Sequence, residues 1–389
     1  MRGSDETRPT VAVIGGGAVG VTAAYDLARR DAEVVVYEKG EIGGASTGRA
    51  AGVLYDAFAA PEDARVGERA IERFREFSGD GDFEFRETPY VWFAREGDEK
   101  RAEALREQVP QMREQGRDVS FADVADLRDR FSAVDWSDVG VAAVAENAGH
   151  TDPGSYADLL AEKARDAGAT VRTGVEARVD ADDLAVDSVA AESAAADDGR
   201  ERELFDAILV AAGAHTKRLL AIAGIPVPLK PYRVQALTAG YDEERRADLP
   251  MCYDATGGYY LRPHPEGLLA GDGTEEVESD PDDWKRDADR EFRDITRDRL
   301  ARRLGDFGAV RDSWAGLCVA TPDRDPLLGE LRDGLFVAAG WQGHGFMRAP
   351  ALGEAAAESI LGETPLPEFD PNRFEGDEEF DVVEGMTVE

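Results

Sequence analysis

Thr10-Val11-Ala12-Val13-Ile14 runs directly into Gly15-Gly16-Gly17-Ala18-Val19-Gly20, and this junction fixes the class of fold. The first five residues are apolar and mostly β-branched, as a buried strand requires. An alanine-rich stretch to Arg29 then reads as a helix. A second apolar run, Val34-Val35-Val36-Tyr37, ends on Glu38. Strand, G-x-G-x-x-G turn, helix and second strand with an acidic end form a dinucleotide-binding unit. Gly15 permits the tight turn, Gly17 lets backbone approach a pyrophosphate, and Gly20 lets the helix pack close to the sheet. The helix start at Ala18 and Val19 presents unpaired N–H groups and a partial positive charge to that pyrophosphate. Glu38 stands eighteen residues past Gly20, where a carboxylate accepts hydrogen bonds from ribose hydroxyls.

The next segment distinguishes the dinucleotide. Glu38-Lys39-Gly40-Glu41-Ile42-Gly43-Gly44-Ala45-Ser46-Thr47-Gly48-Arg49-Ala50-Ala51-Gly52 is rich in small residues that let a loop lie along an extended cofactor. A nicotinamide site has no need of it. A second glycine loop, Gly340-Trp341-Gln342-Gly343-His344-Gly345-Phe346-Met347-Arg348, precedes a helix expected over 349–361. Such a loop lays backbone against a flat ring, and the helix N-terminus favours negative charge on it.

The first segment resembles the N-terminal signature of the D-amino-acid oxidase superfamily of FAD enzymes, particularly its sarcosine oxidase and glycine oxidase branch. The second resembles the flavin loop of sarcosine oxidases, down to Gly343-His344-Gly345-Phe346. The resemblance implies FAD, contacted by Gly15, Gly17, Ala18, Val19, Gly20, Glu38, Lys39, Gly44, Ala45, Ser46, Arg49 and Ala50. Further along it implies Val175 on the adenine side, Gly213 at a strand end, and Gly340, Gly343, His344, Gly345, Phe346 and Met347 around the flavin. The branch tethers its flavin through a cysteine at the position Gly316 occupies ahead of Thr321-Pro322-Asp323, so the FAD here is expected to be non-covalent. The lysine that promotes reaction with oxygen is missing from Leu268-Leu269-Ala270, and Met347 stands where a substrate-carboxylate lysine would be. Tyr260 matches a substrate-strand tyrosine of glycine oxidases. Arginine suits a carboxylate through its bidentate fork, and the candidates are Arg348, Arg49, Arg233 and Arg262.

The resemblance implies an FAD-dependent oxidoreductase that oxidises the C–N bond of a small amino acid or N-methyl amino acid. Hydride passes to flavin N5 and the imine is hydrolysed in water. Oxidation of a 2-hydroxy acid, or service as the FAD-binding subunit of an electron-transfer complex, is the alternative. The partners implied are an amino-acid-like small molecule and an electron acceptor, either oxygen or a redox protein.

The fold expected is α/β: a Rossmann-like FAD-binding domain in three segments (1–80, 149–224 and 314–362) and an α+β substrate domain of mainly antiparallel sheet (81–148 and 225–313). An acidic, loosely held C-terminal tail covers 363–389. Helices are expected over 61–77, 96–117, 121–131, 153–168 and 282–304. Strands are expected over 83–93, 139–146, 171–175, 205–214, 232–239, 258–263, 267–271, 315–320 and 335–339, with a loose surface hairpin over 181–202.

Acidic residues number 81 against 45 basic ones among 389, a formal charge of −36 with 42% hydrophobic residues. That composition still builds a core. The charge disfavours nucleic acid and anionic membranes. No apolar run reaches the length of a membrane span, and Met1 to Arg8 carries no apolar signal segment, so a cytoplasmic location is expected. Cys252 and Cys318 suggest no disulfide framework, and four scattered histidines show no metal-ligand spacing. The scattered acids resemble the shell of proteins from high-salt cytoplasm. The Debye length grows from about 3 Å at 1 M to about 10 Å at 0.1 M salt. Circular dichroism during dialysis is therefore expected to show unfolding or FAD loss as salt falls. Equal melting in low and molar salt would remove the halophile reading.

Overall fold

A computed structural model describes residues 8–193 and 199–383. Its first sheet has six strands in the order Leu327–Arg332, Leu335–Ala339, Ala207–Val210, Thr10–Ile14, Glu33–Glu38, Thr170–Thr173. All neighbours are parallel except the Leu327–Arg332/Leu335–Ala339 hairpin. Ala207–Val210 and Leu335–Ala339 are buried along their whole length, as parallel strands covered on both faces must be. Helices Ala18–Arg29 and Gly345–Ile360 pack closely on one another. Gly353 permits that approach, since a Cβ there would lie 2.5 Å from Thr22 Cβ.

The second sheet has nine strands and is antiparallel except where Met251–Asp254 runs beside Tyr90–Arg95. Its long centre pairs Lys230–Ala239 with Val310–Ala320 over the length of both strands. A small sheet of Val53–Tyr55, Ala148–His150 and Arg86–Glu87 and a three-stranded sheet of Val175–Asp180, Ala185–Ala190 and Glu201–Leu204 complete the β structure of the described residues. The fold is thus α/β, a Rossmann-type sheet with a second, sheet-rich layer. Among the described residues no helix is long and apolar enough to cross a membrane.

Several local expectations are corrected. The strand expected over 171–175 stops at Thr173, because Gly174 turns at φ +66° and donates its N–H to Gly40 O, 3.1 Å away. Val175 then opens the three-stranded sheet. The hairpin over 181–202 includes an ordered strand, Ala185–Ala190, and residues 194–198 lie outside the described part. The helix expected from residue 282 begins at Arg290. Residues 284–288 are held against the sheet because Arg233 takes the carbonyls of Lys285 (2.8 Å) and Asp287 (2.6 Å), and Asp287 bridges Trp314. Only Val124–Arg130 of the 121–131 stretch is helical, since Val119–Phe121 pairs as an edge strand. The last helix starts at Gly345, four residues before expectation, with Pro350 in its second turn.

The C-terminal stretch is not loosely held over its described part, which ends at residue 383; residues 384–389 of the expected tail lie outside it. Phe369 is fully buried, and Leu366 and Val382 are buried too. Arg373 grips Asp323 with two bonds of 2.7 and 3.0 Å. Acidic, proline-containing composition hid a few apolar residues that find seats only in the folded chain.

Candidate functional site

The first glycine turn is built as its residue types demand. Gly15 sits at φ +116°, and a Cβ there would lie 2.4 Å from Ala211 O. A Cβ at Gly20 would lie 2.1 Å from Gly15 O. Gly17 differs: its backbone is extended, and a Cβ would meet only Thr47 Oγ1, at 3.3 Å. The small residue there leaves space on the outer side of the turn. Glu38 closes the turn from the next strand, accepting from Gly16 N (2.8 Å) and Gly40 N (2.7 Å).

Thr47, which the sequence did not single out, accepts from Ala18 N at 3.0 Å. Gly44 and Ala45 are exposed, and Ser46, Arg49 and Ala50 are half-buried. Ser46 Oγ donates to Leu317 O (2.7 Å) and Arg49 to Ala315 O (3.0 Å), so this loop spans from the first sheet to the second. Trp284, also without a sequence signal, lies under the Arg49 guanidinium, 5.8 Å from it. Lys39 Nζ, His215 Nε2 and Asp282 Oδ1 form a triangle with sides of 2.7, 3.0 and 3.7 Å. Val175 follows the turn that touches Gly40, and Gly213 (φ +54°) follows the strand that backs Gly15.

The second glycine loop stands where the last helix begins. Gly340 (φ +84°), Gln342 (φ +48°) and Gly343 (φ +82°) are left-handed, and the helix starts at Gly345. Helices Ala18–Arg29 and Gly345–Ile360 share a property. Neither is capped by its own N-cap residue and neither has an acid in its first turn, although Thr47 Oγ1 takes the Ala18 N–H of the first. Helices beginning after Asp98, Asp152 and Asp242 are capped by those carboxylates. In so acidic a chain, two unneutralised N-termini beside glycine loops suit an anionic dinucleotide. The residues present therefore fit FAD.

Phe346 and Met347 join an apolar cluster with Tyr55, Phe58, Tyr90, Trp92 and Tyr253, and Tyr260 packs against it. The Phe58 ring meets His344 edge-on at 5.7 Å. Burial, with Arg348 second, pushes the His344 pKa down to about 3. Burial and then Arg262 do the same for His150, down to about 3. Both rings are neutral at neutral pH and are weak bases.

Sheet register decides which second-layer residues face this region. Tyr260 pairs with Gly271 and Arg262 with Leu269; Ala236 pairs with Gly271 and Trp314, and Val234 with Gly316. Cross-strand partners share a face, so Tyr260, Arg262, Leu269, Gly271, Trp314 and Gly316 all look one way. Loop 46–52 lies over that face: Arg262 Nε donates to Ala51 O, Trp314 Nε1 donates to Arg49 O (3.0 Å), and a Cβ at Gly316 would meet Arg49 Cβ at 3.3 Å. Leu268 and Ala270 belong to the core on the opposite face.

The four arginines separate by their partners. Arg233 pairs with Glu275 and Asp289 and is removed from the substrate candidates. Arg348 is buried and paired with Asp63. Arg49 bonds a carbonyl and stacks on Trp284. Arg262 is buried, and among the described residues no carboxylate pairs with it. Its partners are Ala51 O, Pro263 O (2.8 Å) and, at 3.4 Å each, Thr151 O and His150 Nδ1. Burial lowers its pKa to about 10, so it remains charged at neutral pH.

Comparison with known proteins agrees with this geometry. The family model described as FAD dependent oxidoreductase (DAO) matches residues 10–359. FAD-dependent oxidoreductase domain-containing protein 1 of Bos taurus is 25% identical over 399 residues, covering 91% of this chain and 81% of its own. Glycine oxidase of Geobacillus kaustophilus is 26% identical over 376 residues, covering 91% and 93%. The crystal structure of L-proline dehydrogenase from P. horikoshii superposes with a TM-score of 0.81 at 27% identity, covering 95% and 98%. Cys318 packs with Tyr232, Ala320 and Val382. The chain belongs to the DAO family of FAD-dependent oxidoreductases, and its FAD is held without a covalent bond.

Proposed function

We propose that the protein oxidises the C–N bond of a small amino acid or N-methyl amino acid, leaving an imine that water hydrolyses. The observation that carries this reading is Arg262, a buried cation with no carboxylate partner among the described residues, on the face shared with Tyr260. A buried charge without a counter-ion is costly, and a substrate carboxylate would supply one. Glycine and L-proline, named in two of the relatives, both carry an amine and a carboxylate.

FAD, when bound, supplies the two-electron acceptor for the carbon next to nitrogen. Gly15, Gly17, Ala18, Val19, Gly20 and Glu38 would hold its pyrophosphate and ribose. The 340–347 loop would lie at its ring, with Lys39, Gly44, Ala45, Ser46, Arg49, Ala50, Val175 and Gly213 lining the remainder. Arg262 would orient the substrate carboxylate, with Tyr260 beside it. The aromatic cluster around Phe58 and Trp92 excludes water, which strengthens charge interactions inside. His344 and His150, neutral at pH 7, leave proton removal to the free amine in water before binding.

Anaerobic bleaching of the yellow chromophore across a panel of amino and 2-hydroxy acids tests the reading. Bleaching by glycine-like or N-methyl amino acids is expected. Bleaching by hydroxy acids alone would overturn it.

The acceptor follows from the same face. Leu269 supplies no charge there, and Arg262, its cross-strand partner, is drawn to Ala51 O. Stopped-flow reoxidation of substrate-reduced enzyme is therefore expected to be slower with oxygen than with a dye, as in a dehydrogenase or a poor oxidase. Equal rates would make the enzyme an oxidase and give Arg262 the role of the missing lysine.

A further inference from the structure

We propose that the C-terminal segment 366–383 is part of the cofactor site, acting through Gln342 as a positioning residue that fixes the 340–345 loop. The proposal rests on the reading that this loop lies against the flavin ring. Gly340 and Gly343 take left-handed backbone without steric cost, but Gln342 has a Cβ and still sits at φ +48°. A side chain in that conformation persists only where its surroundings hold it.

Three bonds do so. Gln342 N donates to Val319 O at 3.0 Å, its Oε1 accepts from Thr321 N at 3.3 Å, and its Nε2 donates to Val383 O at 2.6 Å. The side chain is buried, with 2% of the residue exposed, so neither amide atom has a ready substitute in water. Val383 is the far end of the chain's last described stretch, and that stretch is anchored before it arrives. Arg373 clamps Asp323 and takes Asp325 O at 2.8 Å. The Glu378 carboxylate accepts from Glu375 N (2.6 Å) and Gly376 N (2.9 Å), reversing the chain. Lys230 Nζ donates to Phe380 O (2.6 Å) and sits 4.6 Å from the Phe380 ring centre. Val382 is buried against Tyr232 and Ala320. The strap thus holds the Thr321–Asp325 loop and the glycine loop together, and the helix that starts at Gly345 takes its aim from both.

The test compares Gln342→Leu, Gln342→Gly, Val382→Asp and truncation after Glu379, read by FAD dissociation constant and flavin midpoint potential. Gln342→Leu, Val382→Asp and the truncation are each expected to weaken FAD about tenfold and make the potential more negative, because the helix N-terminus no longer faces reduced flavin squarely. Combining Gln342→Leu with the truncation should add little, since both cut one connection. Gln342→Gly should fall between wild type and Gln342→Leu, because glycine holds a left-handed backbone without help. A purely structural tail would lower melting temperature in all variants and leave the potential of the folded fraction unchanged, which would overturn the proposal. Gly343→Val separates the two levels. If it weakens FAD while Gln342→Leu and the truncation do not, the loop touches flavin and the strap is irrelevant. If Gly343→Val also leaves FAD unaffected, the flavin reading of the loop itself is wrong.

Discussion

Gly17→Val is expected to leave the fold intact and remove FAD, with a dissociation constant raised on the order of 100-fold or more, about 2.7 kcal/mol. The backbone at Gly17 has φ −76° and ψ 172°, which any residue adopts, and a Cβ would meet no protein atom closer than Thr47 Oγ1 at 3.3 Å. The added methyls would instead fill the space that a pyrophosphate bound at this turn would need in order to reach the N–H groups at the helix start. Gly20→Ala is the matched control. Its Cβ would lie 2.1 Å from Gly15 O, so the damage falls on the apoprotein and appears as a lower melting temperature even without FAD. Fluorescence titration with FAD and thermal melts of both apoproteins decide the matter. Wild-type FAD affinity in Gly17→Val would show that the pyrophosphate lies elsewhere.

Arg262→Met should lower kcat/KM by roughly 30- to several thousand-fold, the cost of about 2–5 kcal/mol for leaving a buried carboxylate without its charged partner. The loss should appear mainly in KM, with FAD content changed far less, because Arg262 contacts Ala51 O, His150 and Thr151 and neither Gly15–Gly20 nor Gly340–Gly345. Lysine should rescue poorly, since it is a point charge and lacks the planar fork. Arg348→Met should change KM less, because Asp63 already neutralises that guanidinium. Steady-state kinetics across the three variants test the assignment. An unchanged KM in Arg262→Met would return Arg262 to a purely structural role, tying the small sheet to the large one.

The strand, glycine turn, helix and acidic strand end from Thr10 to Glu38 were legible because each signal is local. Alternation, helical spacing and glycine at positive φ are imposed within a few residues. The same holds for Gly340 and Gly343, whose backbone needs glycine wherever the loop sits. The sequence alone therefore determined the α/β class and the dinucleotide turn. Only the tertiary structure sorted the arginines. Arg233, Arg348 and Arg262 look alike along the chain, and they differ because Glu275, Asp289 and Asp63 reach the first two and no described carboxylate reaches the third. It also decided that Leu269, and not Leu268 or Ala270, shares a face with Tyr260, because register is set by pairing between distant strands. Residues 284–288 and the C-terminal strap were misread for the same reason. Their composition is polar, and what holds them is a set of bonds to Arg233, Asp323, Lys230 and Gln342 that exist only once remote parts of the chain have met.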